Sequence, residues 1–130
     1  LLSSLHTVGA AKTIDRIVDA FPAAQQMQIR AQLSMVLRAV VSQRLIPTVT
    51  GEQIPVFEVM TVTPAIQNLI REGKTHQLDN AILSGGGDML SMDAELIRLV
   101  RAGRLTMESA KLYAVHPESL ERGARPGKLY

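Results

Sequence analysis

Residues 63–73 constrain the fold of this chain most, because they carry a start signal, an apolar face and a stop signal. Thr63 can cap a first helical turn through its hydroxyl, and Pro64 suits the first helical position, where no N–H is needed. Gly73 favours a left-handed stop. Three apolar residues with helical spacing share one face: Ile66, Leu69 and Ile70. The stretch is therefore predicted to be a short amphipathic helix.

The sequence before this stretch is extended in character. Residues 40–49 and 53–62 are rich in β-branched residues, and the turn signal of residues 50–52 separates them. This pattern predicts a β-hairpin, with Pro55 at an edge or a strand start because it lacks a ladder donor. Two strands alone are marginally stable, so the hairpin is expected to extend a larger sheet.

Most of the remaining sequence predicts helices. Residues 1–7 read as the end of a buried strand that runs into His6 and Thr7, and the polar residues 117–130 as a flexible tail. The first helix has an apolar face that includes Phe21, and the second supplies apolar contacts that include Met27 and Val36. The predicted helices cover residues 10–21, 23–37, 76–84, 91–102 and 106–115.

Composition excludes several classes of function. The 130 residues fit one domain, and 46% apolar residues with only 3% aromatic residues predict an aliphatic core. The absence of Cys excludes disulfides and thiolate chemistry, and no apolar run is long enough to cross a membrane. A net charge of +2 with scattered basic residues argues against nucleic acid as a partner. The chain begins at Leu1 without Met and is expected to be a piece of something longer.

Few residues are candidates for chemistry. His6 follows a predicted strand, and the carboxyl ends of strands are where open sheets bind ligands, so its imidazole could donate to a phosphate oxygen or orient a water. The glycines at 85–87 follow a helix and precede Asp88, which does not fit a phosphate-binding loop. The pair Asp15 and Asp19 is expected to be a solvated helix face. The three His residues are too far apart in sequence to predict a metal site.

Two motifs resemble a known family. Ser-Leu-His-Thr at residues 4–7, followed by Ala-Ala-Lys-Thr-Ile-Asp-Arg-Ile-Val-Asp-Ala-Phe-Pro at residues 10–22, is similar to the secretion ATPases of type IV pili, in particular the PilT-type retraction motors. The second motif begins at residue 65, where Ala-Ile-Gln-Asn-Leu-Ile-Arg-Glu resembles the family's Ala-Ile-Arg-Asn-Leu-Ile-Arg-Glu, with Gln67 in place of its first Arg. The likeness covers residues 3–120 and includes residues 43–47 and 58–60.

The resemblance implies an α/β fold, the C-terminal part of a RecA-like ATPase domain with a β-hairpin at a sheet edge, followed by an all-helical cap. It implies residues 1–62 as core, 63–116 as helical subdomain and 117–130 as flexible tail. The complete protein would be a hexameric, cytoplasmic ATPase beside the bacterial inner membrane, which uses ATP and Mg²⁺ to drive retraction through the pilus machinery.

The resemblance also implies roles for individual residues. His6 would be a catalytic residue of the family's His box, near the terminal phosphate of ATP, and Thr7 would contact the nucleotide. The residues of the second motif would couple hydrolysis to movement: Ala65, Ile66, Asn68, Leu69, Ile70, Arg71 and Glu72.

The sequence departs from a complete ATPase. The Walker A loop, the Asp box and the Walker B carboxylate lie upstream of the His box in the family, and this chain contains no Gly-x-x-x-x-Gly-Lys-Ser/Thr. Phosphoryl transfer needs such a cradle, so the chain alone is expected neither to bind ATP tightly nor to hydrolyse it, and to hold no cofactor. A sheet cut open also exposes strand edges, so self-association or rearrangement of residues 1–8 is expected.

Two other interpretations remain open. One is a pilus-assembly or type II secretion ATPase, against which the second motif and the lack of a Cys-rich insertion argue. The other is a helical interaction module without chemistry, against which the start at Leu1 and the lone hairpin argue.

Overall fold

A computed structural model describes residues 1–124 as one hairpin surrounded by helices. A 3₁₀ turn spans Thr75–Gln77. In chain order the elements are α1 (Ala10–Asp19), α2 (Ala23–Val36), β1 (Ala39–Pro47), β2 (Gln53–Thr61), α3 (Pro64–Arg71), α4 (Leu78–Ser84), α5 (Met92–Arg101), α6 (Met107–Tyr113) and α7 (Pro117–Ala124).

The hairpin is antiparallel and confirms the alternation predicted from the sequence. Val41 is 63% exposed and Leu45 56% exposed, which places their face of β1 outside. On β2, Val59 exchanges two backbone hydrogen bonds with Leu90 across the edge away from β1. Pro55 has the same parity as Val59, so the N–H that it lacks would have pointed out of the β1–β2 ladder. The inward face is buried at Ser42, Ile46, Val56, Glu58 and Met60.

The signals at the ends of α3 act as the sequence predicts. The Thr63 hydroxyl accepts a hydrogen bond from the Ile66 N–H at 3.3 Å, and Pro64 opens the helix. Gly73 has a φ of 73°, the left-handed conformation that other residues rarely adopt. Ser91 caps α5 and Thr106 caps α6 in the same manner. Local sequence therefore sets where these helices begin.

Two apolar clusters make up the core, and both cross the predicted boundary at residue 62. One cluster packs α1, β2, α3 and α4 together, and the other packs the hairpin against α5, α6 and α7. The division into units at residue 62 stays a prediction. The first cluster contains Ala10, Ile14, Met60, Ile66, Ile70, Leu78 and Ile82. The second contains Ile46, Val56, Met92, Leu96, Leu99, Leu105, Ala110 and Leu120.

Both predictions for the chain ends need correction. Residues 1–7 form no strand, and residues 1–6 are exposed. The described part of the chain has only the two strands of the hairpin, and neither strand pairs with residues 1–7. Residues 117–124 form α7 rather than a flexible tail, and Leu120 anchors that helix at 1% exposure. The rest of the predicted tail, residues 125–130, lies outside the described residues.

Some predicted apolar contacts are also absent. Phe21 is 39% exposed, and on α2 Met27 is 82% and Val36 68% exposed. Ser34 is the one residue of α2 that is buried. Met27 and Val36 of α2 thus face solvent, whereas Leu33 of the same helix packs at the edge of the first cluster. No helix in residues 1–124 is both long and apolar enough to cross a membrane.

Candidate functional site

The predicted site residues His6 and Thr7 lie together at the rim of an open depression beside α1. The depression has a volume of about 390 Å³. Its polar lining contains imidazole, hydroxyl, cationic and anionic groups, so it offers hydrogen-bond donors to an anion without a large excess of positive charge. The lining residues are His6, Thr7, Val8, Lys12, Asp15, Arg16 and Asp19.

The turn that carries His6 is held by α1 itself. The Thr7 and Thr13 hydroxyls lie 2.7 Å apart, and the Thr13 hydroxyl donates to the Gly9 carbonyl at 2.8 Å. Gly9 is the N-cap residue of α1, at a φ of 87° that only glycine adopts readily. The position of Thr7 is thereby fixed, whereas His6 is exposed.

A buried carboxylate completes the start of α1. Gly9 has no side chain with which to cap the helix, and the first turn contains no acidic residue. Glu58 Oε1 on β2 accepts the Ala10 N–H at 2.9 Å instead, from 48 residues away in sequence. A carboxylate is favourable there because free N–H groups and the helix dipole make a helix N-terminus positive.

Glu58 is an unusual residue for its position. It is 3% exposed, and burial is the main cause that raises the pKa of its carboxyl above the usual glutamate value. The nearby Asp79 and Asp93 carboxylates raise this pKa further, whereas backbone hydrogen bonds from Ala10 and, to a smaller extent, Met92 lower it. Sequence reasoning missed Glu58, although its parity with Val56 and Met60 on β2 signals that it points inward.

Asp15 also departs from its prediction. It accepts the Thr75 hydroxyl with both carboxylate oxygens, at 2.8 and 3.0 Å, and lies 3.5 Å from an Arg30 nitrogen. Asp15 is therefore not part of a simple solvated face, although Asp19 is exposed. These contacts connect the depression to the turn that follows α3, because Asp15 also lines the depression.

The predicted coupling segment, α3, is divided between a buried and an exposed face. Ile66 and Ile70 are fully buried in the cluster that also contains Ile14 and Met60, and Leu69 packs at the edge of that cluster. Ala65 is exposed, and Gln67 is half-buried. The apolar face of α3 thus belongs to the same buried cluster as α1, the helix that borders the His6 depression.

The opposite face of α3 points to solvent. Arg71 donates to the Asn68 amide oxygen at 3.1 Å, one turn earlier. Glu72 pairs with Lys74 at 2.9 Å, and this hydrogen bond is the main cause that lowers the pKa of the Glu72 carboxyl. The structure does not bring these polar groups into the His6 depression; they form a separate surface.

A second cavity, of about 300 Å³, lies where α4, α5 and the start of α7 meet the hairpin. Asp93 fixes its wall by accepting the Val115 and His116 N–H groups at 2.7 and 2.8 Å. Burial raises the pKa of the Asp79 carboxyl, although His116 lies 3.5 Å away and opposes that shift. No cluster of three potential metal ligands is present among residues 1–124.

The chain resembles known proteins in sequence. No protein-family profile matches the chain. It is 44% identical over 120 residues to the type IV pilus retraction ATPase PilT of Pseudomonas aeruginosa, which covers 92% of this chain and 35% of that protein. It is 42% identical over 122 residues to a twitching motility protein of Neisseria gonorrhoeae, which covers 92% of this chain and 33% of the relative.

A solved structure supports the same likeness. The crystal structure of the pilus retraction motor PilT with bound ADP superposes with a TM-score of 0.79 at 39% identity, over 91% of this chain and 33% of that one. In both sequence and fold the chain thus matches the C-terminal part of a secretion-type ATPase. Within that class it matches the PilT-type retraction ATPases, and it spans about a third of the length of these relatives.

Proposed function

We propose that this chain forms the C-terminal part of a hexameric motor that hydrolyses ATP, with Mg²⁺, to drive type IV pilus retraction. The observation that carries the proposal is the match to PilT in both sequence and fold, at 44% identity and a TM-score of 0.79. The match extends over 92% of this chain and therefore includes α3 as well as most of the aliphatic core.

The residues of the depression fit one edge of a phosphate site. His6 has ring N–H groups, and Lys12 and Arg16 supply cations beside it. Asp15 and Asp19 in the same lining disfavour a fully charged anion held there alone. The chain has no glycine cradle and no carboxylate cluster for Mg²⁺ in its described part, so other segments would hold the bulk of Mg-ATP.

In this proposal the bound nucleotide supplies the phosphoryl group and its charge. His6 would donate a ring N–H to the terminal phosphate, where donors stabilise the negative charge that develops during transfer. Thr7 positions that turn, because its hydroxyl is already engaged by Thr13. A contact between Thr7 and the nucleotide would use either the Thr7 hydroxyl, with the nucleotide as its second partner, or the Thr7 backbone.

Motion at the His6 turn has a physical route to α3. Ile14 of α1 belongs to the same apolar cluster as Ile66 and Ile70, and the Asp15 carboxylate accepts the Thr75 hydroxyl beyond the end of α3. A shift of α1 would therefore reach α3 through this cluster and through the Thr75 turn. The outward face of α3 carries Asn68, Arg71 and Glu72. That face is the proposed surface through which hydrolysis drives retraction. A hexamer at the cytoplasmic side of the inner membrane is the assembly in which the proposed motor works.

A chimera tests the function. The part of P. aeruginosa PilT that aligns with this chain is replaced by residues 1–130, and the gene is placed in a strain that lacks PilT. We expect restored twitching and Mg-ATP hydrolysis, with His6→Ala as the matched inactive control. Hydrolysis without twitching would refute the retraction role, and a folded chimera without hydrolysis would refute the ATPase role.

A further inference from the structure

We propose that Glu58 is a positioning residue for the His6 turn: its carboxylate, reaching across from β2, holds the first N–H of α1 and so fixes residues 6–9. The inference rests on the proposed function for its link to ATP, but its structural part concerns this chain alone. Nothing in the comparisons assigns a role to Glu58.

The first support is the way α1 begins. The helix has a glycine N-cap, no side-chain cap and no acidic residue in its first turn, so its start lacks the usual local partners. The one side-chain acceptor found at this end, within the described residues, is Glu58 Oε1, 2.9 Å from the Ala10 nitrogen. A helix start with so little local support is free to fray unless this remote contact holds it.

The second support is the position of Glu58 itself. A carboxylate at 3% exposure costs free energy compared with an apolar residue of similar size, since burying a charge is unfavourable unless it is paired. Glu58 has no cation bridge among the ion pairs of residues 1–124. Packing alone therefore does not explain a glutamate there, whereas its backbone hydrogen bonds do, and the bond from Ala10 at the start of α1 has a larger effect on its pKa than the bond from Met92.

The third support is a series of hydrogen bonds that connects Ala10 to the turn of His6. Ala10 follows Gly9, the Gly9 carbonyl accepts from Thr13, and Thr13 contacts Thr7. Glu58 on one side and Thr13 on the other thus clamp the backbone that carries His6 and Thr7. A carbon atom at the Cβ position of Gly9 would lie 3.7 Å from Glu58 Oε1, so the carboxylate also packs against the turn.

Amide hydrogen exchange on the 130-residue chain tests the clamp. Glu58→Met keeps the length of the side chain but removes the acceptor, and Glu58→Gln keeps an acceptor. We expect the Ala10 amide to exchange about tenfold faster or more in E58M, because that variant loses one charge-assisted hydrogen bond. In E58Q we expect its exchange rate to be near the native value. Glu52→Met, at an exposed position of the hairpin turn, is the matched control.

The amide of Ile70, fully buried in α3, reports on the rest of the fold in the same samples. Its exchange is expected to stay unchanged in E58M. Unchanged protection at Ala10 would overturn the inference, and so would an equal loss at Ala10 and Ile70, because Glu58 would then support the whole fold rather than the turn.

A pH titration keeps the inference testable if E58M does not fold. The backbone amides of residues 7–10 are expected to shift with the ionisation of Glu58 in the native chain and to lose that step in E58Q. The other charged groups that act on Glu58 or on its acidic neighbours remain in both proteins: Lys12, Asp79, Asp93 and His116. A step that persists unchanged in E58Q would belong to one of these groups and would overturn the inference.

A double-mutant cycle in the PilT chimera tests the link to ATP hydrolysis. If Glu58 acts through the His6 turn, E58M lowers kcat in the native background but changes it less than about twofold beside His6→Ala. Independent, multiplicative effects would refute the link. The exchange and titration results do not depend on ATP hydrolysis, so failure of the inference and failure of the proposed function are distinguishable.

Discussion

Glu58 shows how one residue can serve the site at a cost to the core. On β2 it shares the inward face with Val56 and Met60, where an apolar side chain would be expected. Two further carboxylates, Asp79 and Asp93, lie near enough to disfavour its ionised form. The Ala10 N–H at the positive end of α1 offsets part of that cost.

The raised pKa of Glu58 predicts a pH dependence of stability. The folded state holds the Glu58 proton more tightly than the unfolded state does, so the contribution of this group is fully present below its ordinary pKa of 4.5 and is lost as the pH rises through the raised value. We expect the free energy of unfolding to fall over that range, and E58Q to flatten the decline.

Chemical denaturation at several pH values measures this effect. Asp79, whose pKa is also raised by burial, gives a decline of the same sign, and Asp79→Asn is the companion variant. A free energy of unfolding that rises with pH over this range in the native chain, and by the same amount in E58Q, would contradict the prediction.

At the scale of the element, the eight residues of α3 form two faces, one buried and one exposed. Its inward side chains belong to the core, and its outward side chains form a polar surface. Replacing Ile70, at 0% exposure, by Ala is expected to cost about 2–5 kcal/mol of stability because it leaves a cavity. Truncating Ile66, Leu69 and Ile70 together would therefore impair folding before it reported on coupling.

The exposed face of α3 gives the sharper test of coupling. We expect the double variant Asn68→Ala and Arg71→Ala in the PilT chimera to keep Mg-ATP hydrolysis within about twofold and to lose twitching, because both side chains are exposed and bind each other rather than the core. The comparison is made against Asp88→Ala, exposed in the loop after α4. Normal twitching in the α3 variant would contradict a coupling role and would indicate that this helix serves packing only.

At the scale of the whole molecule, the sequence has no glycine-rich phosphate cradle, and residues 1–124 hold no cluster of carboxylates that fits Mg²⁺. We expect the purified 130-residue chain to show no Mg-ATP turnover above a buffer blank, because a phosphate cradle and a Mg²⁺ site are both needed to stabilise the transferring phosphoryl group. A phosphate-release assay measures this, with the chimera as the positive control. Measurable turnover by the chain alone would contradict the prediction.

The molecule also exposes apolar surface on the outer face of the hairpin and on α2. Val41 and Leu45 are more than half exposed on β1, whose outer edge has no neighbouring strand within residues 1–124. Open strand edges with apolar side chains favour pairing between copies. We therefore expect the chain to self-associate, and Val41→Lys with Leu45→Lys to weaken association. Sedimentation that shows a compact monomer at high concentration would contradict this.

Elements whose ends depend on neighbours in the chain are predictable from the sequence alone. The Thr63 cap, the Gly73 stop and the alternation along β1 are local effects, and all appear in the structure. Residues 1–7 and 117–124 were predicted wrongly because their state depends on distant partners: the absence of a pairing strand for the first and the burial of Leu120 for the second.

The supports of the turn that carries His6 depend on tertiary packing. The sequence marked His6 and Thr7, and it marked α3 as a separate segment. The contact of Glu58 with Ala10 spans 48 residues, and that of Asp15 with Thr75 spans 60. No local pattern encodes such contacts, because hydrogen bonds between distant residues depend on how the hairpin and helices pack. Packing thus turned an ordinary strand glutamate and a helix aspartate into the supports of the candidate site.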